Sequence, residues 1–162
     1  MLLHGSAAGV LINIHESRLR DGTRGAIALP AALDANVALL RLYPGMPAAL
    51  LRAAMAEPIK GLVIEAYGAG TFADADPYLF AALADGARRE IVIAVVSQCA
   101  DGRVDLGAYA TSGPLIRAGA VGGLDMTTEA TYAKLVVLLS EGHTAETVRA
   151  LLTEDLAGEL TP

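Results

Sequence analysis

The chain has 162 residues, of which 54% are hydrophobic and 19% charged, with a formal net charge of −6. That length suits one domain with a substantial core, the composition excludes intrinsic disorder, and the acidity argues against a nucleic-acid partner, whose phosphates demand basic patches. Apolar stretches such as Leu135 to Leu139 fall far short of the roughly 20 residues of a membrane span, Met1 to Val10 shows no secretory signal, and the single cysteine, Cys99, leaves no internal disulfide. The expectation is a soluble, cytoplasmic protein with no membrane partner.

Val10 to Leu19 alternates loosely and meets a turn signal at Asp21 and Gly22, which predicts a hairpin with the apolar run Gly25 to Leu29. Ala31 to Asn36 reads as a linker or a short turn of helix. From Val37 the pattern changes. Near-continuous apolar runs at residues 37–43, 62–67 and 91–96 predict strands, and a brief fourth strand is expected at Ala120 and Val121. Helices are expected between them. One spans Ala48 to Ala56, opened by Pro47; the next spans Tyr78 to Arg89, capped by Asp76 with Pro77 in the first turn. A short helix centres on Leu115 to Ala118. Thr127 to Ser140 is apolar nearly all round and is expected to be buried, with Asp125 and Thr127 as its caps. An amphipathic helix over Thr144 to Leu156 closes the chain. Strands alternating with helices predict an α/β fold, a three-layer α/β/α domain with a small parallel sheet over residues 37–162. Residues 1–36 do not share this grammar.

The sequence offers little catalytic machinery. Gly68, Gly70 and Ala73 fit the spacing G-x-G-x-x-A between a strand and a helix, the dinucleotide pattern. Against it, Asp74 and Asp76 place negative charge where a pyrophosphate needs the positive end of a helix. The next strand also ends in Ser97 and Gln98 instead of an acid for a ribose, so no cofactor is expected. The three histidines, His4, His15 and His143, lie at no metal-ligand spacing, and no metal is expected. Cys99 has no histidine close in sequence and is expected to be buried as a small apolar residue. Lys134 interrupts an apolar helix, so its amine must reach solvent or a carboxylate.

One stretch carries more special residues than a generic core needs. It reads Ser97, Gln98 and Cys99; Gly102, Arg103 and Val104; Tyr109, Ala110 and Thr111; Gly123 to Thr127; Glu129 and Ala130; then Lys134 and Leu135. In that order and spacing it resembles the C-terminal domain of the bacterial type I L-asparaginases, the cytoplasmic members of the asparaginase-glutaminase family. The likeness covers about three quarters of the chain, from near Leu39 to the terminal Gly158 to Pro162. It includes the Y-P-G opening at Tyr43 and the Y-G-x-G turn at Tyr67. The segment Val10 to Arg24 is more weakly similar to the end of the family's catalytic domain. That implies residues 1–36 are the tail of a catalytic-domain-like β segment with a linker.

The resemblance implies an amidohydrolase that converts asparagine and water to aspartate and ammonia through threonines of a larger N-terminal domain. The corresponding T-G-G-T-I-like and H-G-T-D-T segments are absent from these 162 residues, so the chain alone is expected to be inactive, with no catalytic residue of its own. It implies as partner an asparaginase catalytic domain or a second protomer, in a homodimer or tetramer. Tyr109 is then expected to reach the partner's substrate pocket, and Thr71 stands where the family carries a substrate-binding asparagine. Cys99 and Glu65 match positions of an allosteric asparagine site, but Glu65 replaces an arginine and would repel a carboxylate. Two other readings are the similar domain of the archaeal glutamyl-tRNA(Gln) amidotransferase asparaginase-like subunit and a stand-alone regulatory module.

Overall fold

The computed structural model describes residues 2–6, 9–13, 30–72, 76–106 and 113–161. Its opening pair, β1 (Leu2–Ser6) and β2 (Gly9–Asn13), is an antiparallel hairpin in the register Leu2 to Asn13 and Ser6 to Gly9. The hairpin expected around Asp21 and Gly22 lies outside the described residues. The observed one begins earlier, because Leu2 to Ser6 pairs with the first half of the predicted strand.

The remainder is built on four parallel strands in sequential order. These are β3 (Val37–Arg41), β4 (Gly61–Ala66), β5 (Val92–Ser97) and the two-residue β6 (Val121–Gly122). Register runs from Val37 opposite Gly61 to Arg41 opposite Glu65, and from Gly61 opposite Val92 to Ala66 opposite Ser97. The crossovers are α1 (Ala48–Ala54), α2 (Pro77–Arg88) and α3 (Gly113–Arg117). Two further helices, α4 (Thr128–Ser140) and α5 (Ala145–Leu152), follow β6.

Right-handed crossovers between strands that progress in one direction put their helices on one face of the sheet. The core obeys this. Leu62, Ile64, Ile93 and Val95 pack with Leu51 and Met55 of the α1 region, Leu79 and Leu83 of α2, and Leu115 of α3. The alternate positions Val63, Val92, Ala94 and Val96 face Leu135 and Leu138 of α4 with Val148 and Leu152 of α5. Both sheet faces are therefore dry, which is why the central strands read as unbroken apolar runs.

Local chemistry sets the helix starts. The Asp76 carboxylate accepts from the backbone N–H of Tyr78 at 2.8 Å and of Leu79 at 3.4 Å, with Pro77 next to it. The Thr127 hydroxyl accepts from Ala130 N at 3.1 Å. Helix α4 corrects one expectation. Only one side of it meets the sheet, so Tyr132 and Ala133 are exposed in spite of the apolar sequence.

After α5 the chain returns along α4 without regular structure. Leu160 is buried in this return, and Lys134 Nζ forms an ion pair with Glu159 Oε1 at 2.6 Å. Nζ also donates to the carbonyls of Leu152, at 3.2 Å, and Glu154. Lys134 thus reaches a carboxylate, as its apolar surroundings require. Asp125 holds the end of the same return. It accepts from Thr161 N at 2.7 Å and from the Thr161 hydroxyl, so it clamps the tail, while the N-cap residue of α4 is Thr127.

Candidate functional site

The loops at the carboxyl ends of β4, β5 and β6 gather most of the residues singled out in the sequence. Open parallel sheets bind ligands at this end. Tyr67 and Thr71 close a tight turn after β4, with Tyr67 N donating to Thr71 O at 3.3 Å and Thr71 N to Tyr67 O at 2.9 Å. Gly68 and Gly70 hold left-handed backbone there, at φ of 48° and 104°. The Thr71 side chain is left exposed on this turn.

The turn after β5 is knitted to it. Ser97 Oγ donates to Gly68 O at 2.6 Å and accepts from Cys99 N at 3.0 Å. Gln98 Nε2 donates to Leu42 O at 2.7 Å and to Glu65 O at 2.9 Å, tying together the ends of β3, β4 and β5. Ser97 and Gln98 are therefore scaffold. Cys99 is exposed, contrary to its expected burial, because the hydroxyl of Ser97 turns the backbone outward at that residue. A short antiparallel bridge joins Val104 to Leu124, with Val104 N donating to Leu124 O at 2.8 Å. Arg103 donates to Thr161 O at 3.1 Å and lies 3.9 Å from Asp125, which links this loop to the chain's tail.

Glu65 is engaged within the chain. Thr128 Oγ1 donates to its Oε1 at 2.8 Å, and Arg41 Nη1 lies 3.5 Å from its Oε2. Neither partner was singled out in the sequence. Arg41 could have been found from strand register, since it sits directly opposite Glu65. Tyr109, the remaining candidate, lies outside the described residues.

The described residues also bear on the dinucleotide pattern read in the sequence. The glycine turn at Gly68 and Gly70 does not lead directly into a helix, as a dinucleotide site requires, and the donors at the start of α2 are taken by Asp76. A sheet whose strands progress in one direction also lacks the switch point where such cofactors bind. Among the described residues, no three His, Cys, Asp or Glu side chains converge as metal ligands, and no helix is long and apolar enough to cross a membrane.

Comparison with known proteins gives this arrangement a context. Residues 36–152 match the Glutaminase/Asparaginase C-terminal domain family. The chain is 39% identical over 126 residues to L-asparaginase 1 of Escherichia coli (strain K12), covering 78% of this chain and 37% of that protein. It is 34% identical over 144 residues to a component of the glutamyl-tRNA(Gln) amidotransferase of Pyrococcus furiosus, covering 88% of this chain and 32% of that protein. Among solved structures, L-asparaginase I from Vibrio cholerae superposes with a TM-score of 0.75 at 28% identity, covering 99% of this chain and 48% of that one. The chain thus spans 32–37% of the length of these curated relatives.

Proposed function

This chain belongs to the glutaminase/asparaginase C-terminal domain family, and from that premise we propose that it is the smaller, non-catalytic domain of a cytoplasmic L-asparaginase-type amidohydrolase. It completes an active site whose nucleophile lies elsewhere, on an asparaginase catalytic domain or across the contact with a second protomer in a dimer or tetramer. Residues 1–36 are the tail of the catalytic-domain-like segment and its linker, and residues 37–162 the domain itself.

The observation that carries the reading is the use made of the polar side chains at the carboxyl end of the sheet. Ser97, Gln98, Glu65 and Asp125 are all spent on holding loops together. Hydrolysis of an amide needs a nucleophile, a base and oxyanion donors aimed at one point, and these residues provide no such set. What they provide is a rigid rim. In this reading Tyr109 and Thr71 are the residues that contact the partner's substrate. Thr71 is shorter than the asparagine of the family pattern and makes the weaker contact. Glu65 and Cys99 occupy allosteric positions, and the Glu65 carboxylate removes asparagine binding there by charge.

The test is a chimaera in which this chain replaces the matching part of E. coli L-asparaginase 1. It is expected to hydrolyse asparagine, and Tyr109→Phe is expected to lower kcat/KM at least tenfold, about 1.4 kcal/mol of transition-state stabilisation. A folded, assembled chimaera indifferent to Tyr109→Phe rules out the proposed role of that residue.

A further inference from the structure

The main sheet has an open edge. Its strands pair in the order β3-β4-β5-β6, and the hairpin of β1 and β2 forms a sheet of its own, so among the described residues β3 has a neighbour on one side only. Leu42 N donates to Glu65 O at 3.0 Å and Asn36 O accepts from Lys60 N at 2.8 Å, so the even-numbered residues of β3 turn their peptide groups toward β4. Successive peptide groups of a strand alternate sides, which points the N–H and C=O of Val37, Leu39 and Arg41 away from the sheet. Proteins guard such an edge with proline, lysine or a bulge. This strand reads VALLR, and its register with β4 is unbroken. Leu39 in its middle is 50% exposed, and Leu33 and Tyr43 are exposed before and after it.

We infer that this edge is a docking surface for a second copy of the chain, with the two β3 strands pairing antiparallel about a twofold axis at Leu39 to make one continuous sheet. That register engages every outward peptide group of the strand. Leu39 meets the partner's Leu39, and Val37 meets the partner's Arg41. Charge sets the direction. Val37 packs on the α4 side of the sheet and Ala38 and Leu40 on the α1 side, so Leu39 and Arg41 also lie on the α4 side. Helix α4 runs back along β3. It starts where Thr128 donates to Glu65 beside Arg41, and it ends where Ser140 Oγ accepts from Ala35 N at 3.2 Å. Antiparallel pairing therefore brings each Arg41, 62% exposed, to the carboxyl end of the partner's α4. The helix dipole is negative there, and Glu141 is the capping residue. Parallel pairing in register would instead set Arg41 beside the partner's Arg41, a repulsive contact. The inference stands on this edge and does not rest on the amidohydrolase reading.

The experiment is sedimentation equilibrium of the purified chain across the micromolar range, followed by disulfide trapping. The parent is expected to pass reversibly from monomer to dimer with a Kd on the order of 1–100 µM. Leu39→Pro removes an N–H that β4 does not use, so it is expected to keep the parent's circular dichroism and to raise Kd at least about tenfold. Trapping uses a Cys99→Ser background, which leaves no other thiol. Leu39→Cys is expected to cross-link with itself, because facing residues of a hydrogen-bonded pair have Cα atoms about 5.5 Å apart, within disulfide reach. Val37→Cys is expected not to, since its two copies lie roughly 14 Å apart, while Val37→Cys mixed with Arg41→Cys is expected to cross-link. If Leu39→Pro is unfolded, the trapping pattern decides. A monomer at every concentration, whether the edge is bare or covered by another segment of the chain, overturns the inference. So does a dimer indifferent to a folded Leu39→Pro, or Val37→Cys that cross-links with itself as readily as Leu39→Cys.

Discussion

Lys134 Nζ lies 2.6 Å from Glu159 Oε1, with the two side chains 6% and 14% exposed, so an ion pair closes the return of the chain's tail onto α4. A buried pair is costly to break because the survivor is left as an uncompensated charge. Lys134→Met also strips the carbonyls of Leu152 and Glu154 of their donor. The expected loss is about 2–4 kcal/mol in urea unfolding. Lys134→Met combined with Glu159→Leu is expected to recover part of it, since the remaining charge is gone. A double variant as unstable as the single one would mean that packing, and not charge, holds the tail.

The same pair sets an acid limit. Burial alone pushes the Glu159 carboxyl up, but the Lys134 ammonium and the backbone N–H groups of Glu159, Ala157 and Leu156 outweigh it, and the pKa falls from 4.5 to about 2. A folded-state value below the unfolded one means stability that is complete above about pH 5 and lost as pH falls toward 2. With allowance for solvent screening, the contribution is about 1–2 kcal/mol. Unfolding free energies measured from pH 6 to pH 2 should decline in the parent more than in Glu159→Gln. Parallel curves would show that Glu159 is not the group responsible.

Gln98→Ala removes both hydrogen bonds that join the ends of β3, β4 and β5. Leaving two half-buried carbonyls without this donor is expected to cost about 2–3 kcal/mol. Gln98→Glu is expected to be worse, because a carboxylate faces two carbonyl oxygens. Equilibrium denaturation ranks the three proteins, and Gln98→Glu at parent stability would remove the scaffold role.

The position of Glu65 also bears on ligand binding. Asparagine is expected not to bind the parent at this corner, because the carboxylates of Glu65 and the amino acid repel. Glu65→Arg reverses the charge and is expected to bind asparagine measurably in calorimetry. Equal absence of binding in both proteins would show that charge is not what excludes the ligand.

What was legible in the sequence was local. The Asp76 and Pro77 start of α2, the Thr127 start of α4 and the apolar runs of β4 and β5 each have a signature within a few residues, and each formed. Family resemblance located the loop cluster from Ser97 onward. The missed features join residues far apart in the chain. The contact of Asp125 with Thr161 spans 36 residues, while the sequence near Asp125 suggests only a helix cap. Cys99 reads as buried because cysteine usually is, and its exposure depends on a hydroxyl two residues back. The contact of Thr128 with Glu65 spans 63 residues and leaves no mark in either neighbourhood. Exposure of Tyr132 followed the same logic, since an apolar helix shows composition but not how many layers cover it.

The central claim is that this chain shapes an amidohydrolase site without supplying its chemistry, and the most direct measurement is ammonia released from L-asparagine by the purified chain. The account predicts release no faster than the protein-free rate at any protein concentration. Release that scales with the chain's concentration and survives further purification would contradict it, and would place a nucleophile within these 162 residues.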